Sequence, residues 1–408
     1  MAKPVGRMVL AAFALAISSV ICFGMEGSGS SQNRSPYSAW KNGPSPDPSY
    51  FPLAVWAQDP KLADQYRAIG INTYVGLGPT EQDLAMLRQA GMRAICDQDA
   101  VGLKHLDDPT IMGWMHGDEP DNYQEKPGGG GYVPAIPPSA IIAEYNDYRR
   151  NDPTRPVLLN LGQGVANDEN KGTYAVLSDY PEYMKGADIV SFDIYPIAGT
   201  DEGGPDWLWM VPKGVDRLAR WGQGKKVIWN ALECTHISNP GHRPTPEQVK
   251  SEVWMSIIHG SMGIIYFCHV FKPKEVDAAL LADPEMSAAV KEINQQILAL
   301  APVLNSPTIV DGGTATSDNP LVPVDVMVKQ RGDSSGDAIY MLAVGMRNLP
   351  THAHLTIDML HRLRTSKTIE VVGENRTIPA WGGRFEDDFK PYEVHIYKAA
   401  LGAGAPLQ

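Results

Sequence analysis

From residue 51 to about residue 305 the chain alternates between short apolar runs and helical ones, eight times over. Phe51–Gln58, Ile71–Leu77, Met92–Cys96, Ile111–His116, Val157–Leu161, Ile189–Tyr195, Val227–Leu232 and Gly263–His269 have strand length and read as strands buried on both faces. Helical patterns lie between them over Pro60–Ile69, Thr80–Ala90, Ser139–Arg150, Val211–Trp221, Pro246–His259 and Glu285–Leu304, with a helical turn at Pro181–Lys185. Only the third connection, Asp97–Asp108, is too short for a full helix with its loops. This alternation predicts an α/β fold, a (β/α)8 TIM barrel over residues 51–305. An open doubly wound sheet alternates in the same way, but no Gly-rich phosphate loop follows the first strand, which runs directly into Asp59-Pro60.

The remaining 306–408 change character. Val322–Lys329, Ala338–Val344, Ala353–Ile357, Thr368–Val372 and Tyr392–Tyr397 are strand-like runs between Gly, Asp, Asn and Pro turns. They predict a small C-terminal all-β domain, sandwich-like, packed beside the barrel. A role in carbohydrate binding would rest on Trp381, its only tryptophan.

At the other end, Lys3 and Arg7 precede the apolar run Met8–Phe23, which only Ser18 and Ser19 interrupt. Residues 1–27 read as a secretion signal, too short for a comfortable membrane span, and imply a secreted or periplasmic protein with no stable span after cleavage. An anchor, by lipid on Cys22 or uncleaved, is the lesser alternative. Residues 28–50, rich in Ser, Pro, Gly and Asn, read as a linker without a fold of its own. Past the signal stand Cys96, Cys234 and Cys268, too few for a disulfide framework. Buried thiols are the expectation, and a Cys234–Cys268 bridge is the alternative.

In a barrel, chemistry is built where the strands end. Those ends read Trp56 and Gln58, Tyr74, Asp97 and Gln98, His116 with Asp118 and Glu119, Asn160, Asp193 and Tyr195, Glu233 with His236, and Cys268 with His269. Glu119 and Glu233 close strands four and seven. Two carboxylates facing each other across a pocket are the equipment for cleaving a glycosidic bond. Trp56, Tyr74, Trp114, Trp207 and Trp209 offer flat faces for sugar rings, Trp56 and Trp207 foremost. Gly128–Gly131, just past Glu119, reads as a flexible rim.

This layout resembles the clan A glycoside hydrolases, retaining enzymes on a (β/α)8 barrel. The resemblance covers residues 51–305 in topology and is specific at few positions. It implies Glu119 as acid/base, Glu233 as nucleophile and Tyr195 as the tyrosine that hydrogen-bonds the nucleophile. The residue before the acid/base is usually asparagine in that clan, and here it is Asp118, whose charge favours a protonated neighbour. The implied reaction is a double displacement on a β-linked oligo- or polysaccharide, without a cofactor or a metal. Glu233 attacks the anomeric carbon while Glu119 protonates the leaving oxygen. Asp118, Trp56, Tyr74, His116, Asn160, Asp193, Trp207, His236 and His269 are the expected substrate contacts.

Two rivals stand beside this reading. Asp97, His116, Asp118, His236 and His269 could hold a metal for hydrolysis with Glu119 as base, although these residues lack a His-Glu-x-x-His spacing. A barrel that binds glycans without cleaving them is the other. The net charge of -12 argues against a nucleic-acid partner, since it leaves no basic surplus for phosphates.

Overall fold

The computed structural model describes residues 35–168, 175–199, 204, 206–333, 336–363 and 366–401. The expected secretion signal lies outside the described residues. Among those described, no helix is long and apolar enough to cross a membrane.

Eight parallel strands form a closed barrel. They are β1 (Leu53–Trp56), β2 (Thr73–Leu77), β3 (Arg93–Cys96), β4 (Ile111–Met115), β5 (Val157–Leu161), β6 (Ile189–Phe192), β7 (Val227–Ile228 and Asn230–Glu233, interrupted at Trp229) and β8 (Ile264–Phe267). Each strand pairs with the next, and β8 pairs back onto β1 through Leu53 opposite Ile264. The β6–β7 seam is completed by a bridge between Asp193 and Ala231. Nearly every strand residue is buried, as the unbroken apolar runs require.

The outer ring contains α1 (Ala63–Ala68), α2 (Glu81–Ala90), α3 (Pro138–Asn151), α4 (Tyr180–Tyr183), α5 (Met210–Gly222), α6 (Pro246–Ile258), α7 (Ala279–Ala282) and α8 (Pro284–Leu304). The short third connection holds a 3-10 turn, Gly102–His105. Local signals set the ends of these helices. Thr80 with Asp83, and Thr245 with Gln248, form capping boxes at the starts of α2 and α6. Gly214 lets α5 lie against β6, since a Cβ there would meet the Phe192 ring at 2.1 Å.

The segment read as a linker is in part structural. Residues 35–50 cross the N-terminal end of the barrel, where Tyr37 is 1% exposed. Its hydroxyl donates to the Met262 carbonyl (2.8 Å) and accepts from Trp229 Nε1 (2.8 Å). Tyr37 thus joins the interior cluster of Ala54, Val75, Ile95, Met112, Leu158 and Ile265. A single buried aromatic with a satisfied hydroxyl turned a polar-looking segment into the plug of the barrel.

After α8 come β9 (Gly313–Ser317), β10 (Val324–Asp333), β11 (Gly336–Gly345), β12 (Thr351–Ile357), the short α9 (Asp358–Leu363), β13 (Ser366–Val371), β14 (Arg376–Trp381), β15 (Arg384–Phe389) and β16 (Val394–Ala400). They form one antiparallel sheet, ordered β9-β12-β15-β14-β13-β16-β11-β10, curled so that β9 and β10 meet. One face packs its own core, including Ile339, Leu355, Ile369 and Phe385. The other face, with Met327, Tyr340, Leu342 and Ile396, joins the apolar surface of α6 and α8 in a continuous core. Ser251 Oγ of α6 donates to the Tyr392 carbonyl (2.7 Å) across this junction.

All three cysteines of the described part are free and buried. The Cys234 thiol donates to the Phe267 carbonyl (3.2 Å).

Candidate active site

The C-terminal ends of β1, β4, β6 and β8 surround a cavity of about 550 Å³. Five carboxyl side chains line it, from Asp118, Glu119, Asp193, Glu275 and Asp277, and among the described residues neither lysine nor arginine does. An aromatic wall faces them. Tyr195 packs on Phe267 (centroids 5.2 Å apart), Phe267 on His269 (5.1 Å), and His269 stacks on Phe271 (5.9 Å, 10° between planes). Trp56 closes the floor at 9% exposure.

Glu119 is held in a strained position. Its φ is +43°, in the left-handed region that side-chain-bearing residues rarely occupy. The backbone is fixed on both sides: its N–H donates to the Asn160 carbonyl (3.2 Å), and its own carbonyl accepts from Asn122 N–H (3.0 Å) and Gln124 Nε2 (3.0 Å). Asn122 Nδ2 donates to Glu119 Oε2 (2.6 Å). That contact depends on Gly162 after β5, where a Cβ would lie 2.5 Å from Asn122 Oδ1. Ala57 (φ +45°) and Ile237 (φ +49°) also line the cavity. Strained backbone therefore gathers at this mouth, a mark of functional sites.

Asp193, one residue past β6, lines the same cavity as Glu119, and its charge is among the causes that raise the Glu119 carboxyl. Burial, the Asp193 charge and the Asp118 charge all push the Glu119 carboxyl far above the usual range, against the pull of Asn122. Burial raises Asp193 as well, and hydrogen bonding from Glu119 and Tyr195 opposes it. Both shifts run in the direction that favours a proton on the pair. Asp193 Oδ1 has no hydrogen-bond partner. Asp118 stands at the exposed rim and accepts from Asn160 Nδ2 (3.0 Å), while Asn160 Oδ1 accepts from Ser191 Oγ (2.7 Å). Asp121 ties the loop beneath: it accepts from Gly162 N–H (2.8 Å) and the Tyr180 hydroxyl (2.9 Å), and burial lifts its carboxyl to about 7.

Glu233 does not face Glu119 across this cavity. It is wholly buried, and both its oxygens are occupied by backbone N–H groups, Ile197 to Oε1 (2.7 Å) and Ala198 to Oε2 (2.6 Å). Behind it, on α6, Glu252 is also wholly buried and receives no hydrogen bond. Burial and the Glu233 charge both push the Glu252 carboxyl far up. The Glu233 carboxylate, expected as the nucleophile, engages the loop that follows Asp193 in this structure. Tyr195, expected to orient Glu233, lines the cavity against Phe267.

The other expected contacts divide. Trp56, Asp118, Asp193 and His269 line the cavity. His269 Nε2 is within 3.1 Å of both Gln58 Nε2 and the Trp56 carbonyl. Asn160 lies one layer beneath, holding Asp118. Tyr74 is fully buried against Tyr66. His116 is spent on structure, between Glu144 Oε2 (2.6 Å) and the Gly186 carbonyl (2.8 Å). Trp207 is 41% exposed and outside the lining, as is His236, whose Nδ1 is buried without a partner. The exposed Gly128–Gly131 run turns a two-stranded ribbon, Gln124–Glu125 with Tyr132–Val133, and also lies outside it. The strand-end histidines and acids form no cluster of metal-ligating groups among the described residues. Asn122, Gln163, Phe267, Phe271, Glu275 and Asp277 went unread. Only Phe267, at the end of β8, stood where the strand-end rule could have found it.

No family model matches the chain, and no curated protein matches it. Solved structures do. A variant of AmyP in complex with maltotriose superposes with TM-score 0.51 at 11% identity, over 86% of this chain and 97% of that one. A putative alpha-galactosidase from Bacteroides fragilis NCTC 9343 gives 0.50 at 11% identity, over 86% and 80%. A catalytic mutant of a GH42 beta-galactosidase from G. stearothermophilus gives 0.51 at 8% identity, over 86% and 98%. This chain has their fold, a (β/α)8 barrel followed by an all-β part. Their names speak of a maltotriose complex, a putative alpha-galactosidase and a beta-galactosidase, so the fold alone does not choose a substrate.

Proposed function

We propose that this chain hydrolyses glycosidic bonds, with Glu119 and Asp193 as the working carboxyl pair. One observation carries the reading: these two groups, from β4 and β6, meet in an aromatic-walled cavity at the C-terminal mouth of the barrel. Glu119, kept protonated by burial and by two neighbouring acids, suits the acid that protonates the leaving oxygen. Asp193, with an unpartnered oxygen and the Tyr195 hydroxyl beside it, suits the carboxylate that attacks the anomeric carbon or activates water. The two carboxyls line one cavity. A sugar seated between them would part them to about 5–5.5 Å for direct attack, or roughly 6.5–9.5 Å for attack through water.

Tyr195, Phe267, Phe271 and Trp56 supply faces for stacking, and a wall of acids without lysine or arginine suits an uncharged glycan. The β-linked substrate implied by the clan resemblance rested on Glu233 as nucleophile. With Glu233 buried, the proposal is for glycosidic hydrolysis of either anomeric hand. The signal-like segment Lys3–Phe23 supports work outside the cytoplasm, on exported or environmental polysaccharide.

The test is a panel of α- and β-linked oligosaccharides with the wild type, Glu119→Gln and Asp193→Asn. Each variant should lose about 10³-fold or more in kcat while remaining folded. Turnover that disappears with a chelator would point to a metal-dependent hydrolase. Saturable glycan binding without product would point to a binding barrel. Either result overturns the proposal.

A further inference from the structure

The β domain carries a second constellation that the barrel chemistry does not use. Its sequence signal is the pair His352-Ala-His354 on β12. In a strand, positions two apart share a face, and the buried Ala353 and Leu355 on the other face leave both imidazoles on the outer one. The neighbouring strand β15 sets Glu386 opposite His354 and Asp388 opposite His352. Asp318, just past β9, completes the group from the other side, its N–H donating to the His352 carbonyl (2.9 Å). Three adjacent strands thus converge two imidazoles and three carboxylates.

The geometry has a definite order. Glu386 lies between the rings, with Oε1 at 2.9 Å from His354 Nδ1 and Oε2 at 3.5 Å from His352 Nε2. The far nitrogen of each ring has its own carboxylate: His352 Nδ1 is 2.7 Å from Asp388 Oδ1, and His354 Nε2 is 3.0 Å from Asp318 Oδ1. The ring centroids are 5.3 Å apart, and the planes are nearly perpendicular at 84°. Held by protons alone, this arrangement requires two adjacent imidazolium ions. Inner nitrogens aimed at one carboxylate, and outer nitrogens each donating to another, are instead the pattern of metal-bound histidines oriented by carboxylates.

We propose that His352 Nε2, His354 Nδ1 and Glu386 form a site for a divalent transition-metal ion of the zinc class, with Asp388 and Asp318 orienting the two rings. Ligand atoms of these three residues already lie within 4.8 Å of one another. Their exposed side chains close onto an ion by small rotations, to about 2.0–2.2 Å per bond. Mixed imidazole and carboxylate donors suit zinc, copper or nickel above magnesium or calcium. The ion would staple β12 to β15, with β9 held through Asp318.

Titration of the full, untagged chain with zinc chloride by calorimetry tests the site. One equivalent should bind, and zinc should raise the Tm by about 3 °C over a chelator control. The double variant His352→Ala/His354→Ala and the variant Glu386→Gln should each weaken binding about 100-fold or more. Asp388→Asn should weaken it about 10-fold by loosening one ring. Thermal unfolding in chelator checks that the variants fold. Cobalt in place of zinc gives a visible absorption band that should vanish in Glu386→Gln, the variant that leaves both rings in place. Failure to bind one equivalent, or binding undiminished in the double variant, would show an ion-pair cluster only and overturn the assignment.

Discussion

Glu119 combines a left-handed backbone, a hydrogen bond from Asn122 and two acidic neighbours, and each can be altered separately. Because the Asp118 charge is one of the causes that raise Glu119, Asp118→Asn should lower the pKa of the proposed acid. A general acid fails when it loses its proton. The alkaline limb of kcat/KM in Asp118→Asn should therefore move to lower pH, by about one unit, in a stopped assay across pH 5–10. An unmoved limb would mean that the limb reports another group. Gly162→Ala tests the positioning of Asn122. The new Cβ would collide with the amide that holds Glu119, so kcat should fall about 10-fold with little change in Tm.

At the scale of elements, the loop from Asp193 to Gly199 is fastened to β7 by Glu233, and Glu252 of α6 is also wholly buried. Glu233→Gln exchanges one acceptor for a donor facing a backbone N–H, so the loop should loosen. Turnover should drop about 10- to 100-fold, and added azide should not restore it, since no attacking carboxylate has been removed. In Asp193→Gly, by contrast, azide should restore product if Asp193 is the nucleophile. Glu252 gives this region a pH dependence. Its carboxyl is raised in the folded protein, so its contribution to stability is full below the ordinary glutamate value near 4.3 and is lost as pH rises through the folded value. The Tm should fall from pH 5 to pH 8, and Glu252→Gln, which has no proton to lose, should flatten that decline in calorimetry. A slope equal to that of the wild type would remove Glu252 from the account.

At the scale of the whole molecule, the described residues among 35–401 form a barrel closed at one end, open at the other, and backed along α6 and α8 by a curled sheet. Tyr37 plugs the closed end, so Tyr37→Ala should leave both a cavity and an unpaired Trp229 N–H. A loss of about 3–5 kcal/mol in denaturant unfolding is expected, with the open end unaffected. Much of this architecture was written in the order of residues. β5 is legible in the sequence at Val157–Leu161, where it stands, because a strand buried on both faces is an unbroken apolar run between polar turns. The strands Gly313–Ser317, Arg376–Trp381 and Arg384–Phe389 have no clear signal in the sequence because exposed sheet positions tolerate Thr, Arg, Glu and Asp, which leaves too weak an apolar pattern. Tyr37 lacks one for a related reason, since a lone aromatic among Ser and Pro has no periodicity. At the site, the sequence determined that Glu119, Asp193 and Glu233 end strands of one barrel, because strand length and alternation are local properties. Which carboxyls face each other was decided only by the tertiary structure. The amides of Ile197 and Ala198 reach Glu233 across 36 and 35 residues, and their pull turns that side chain away from the cavity. The partner left for Glu119 is Asp193, and a side chain's direction at a strand end belongs to the distant groups that satisfy it.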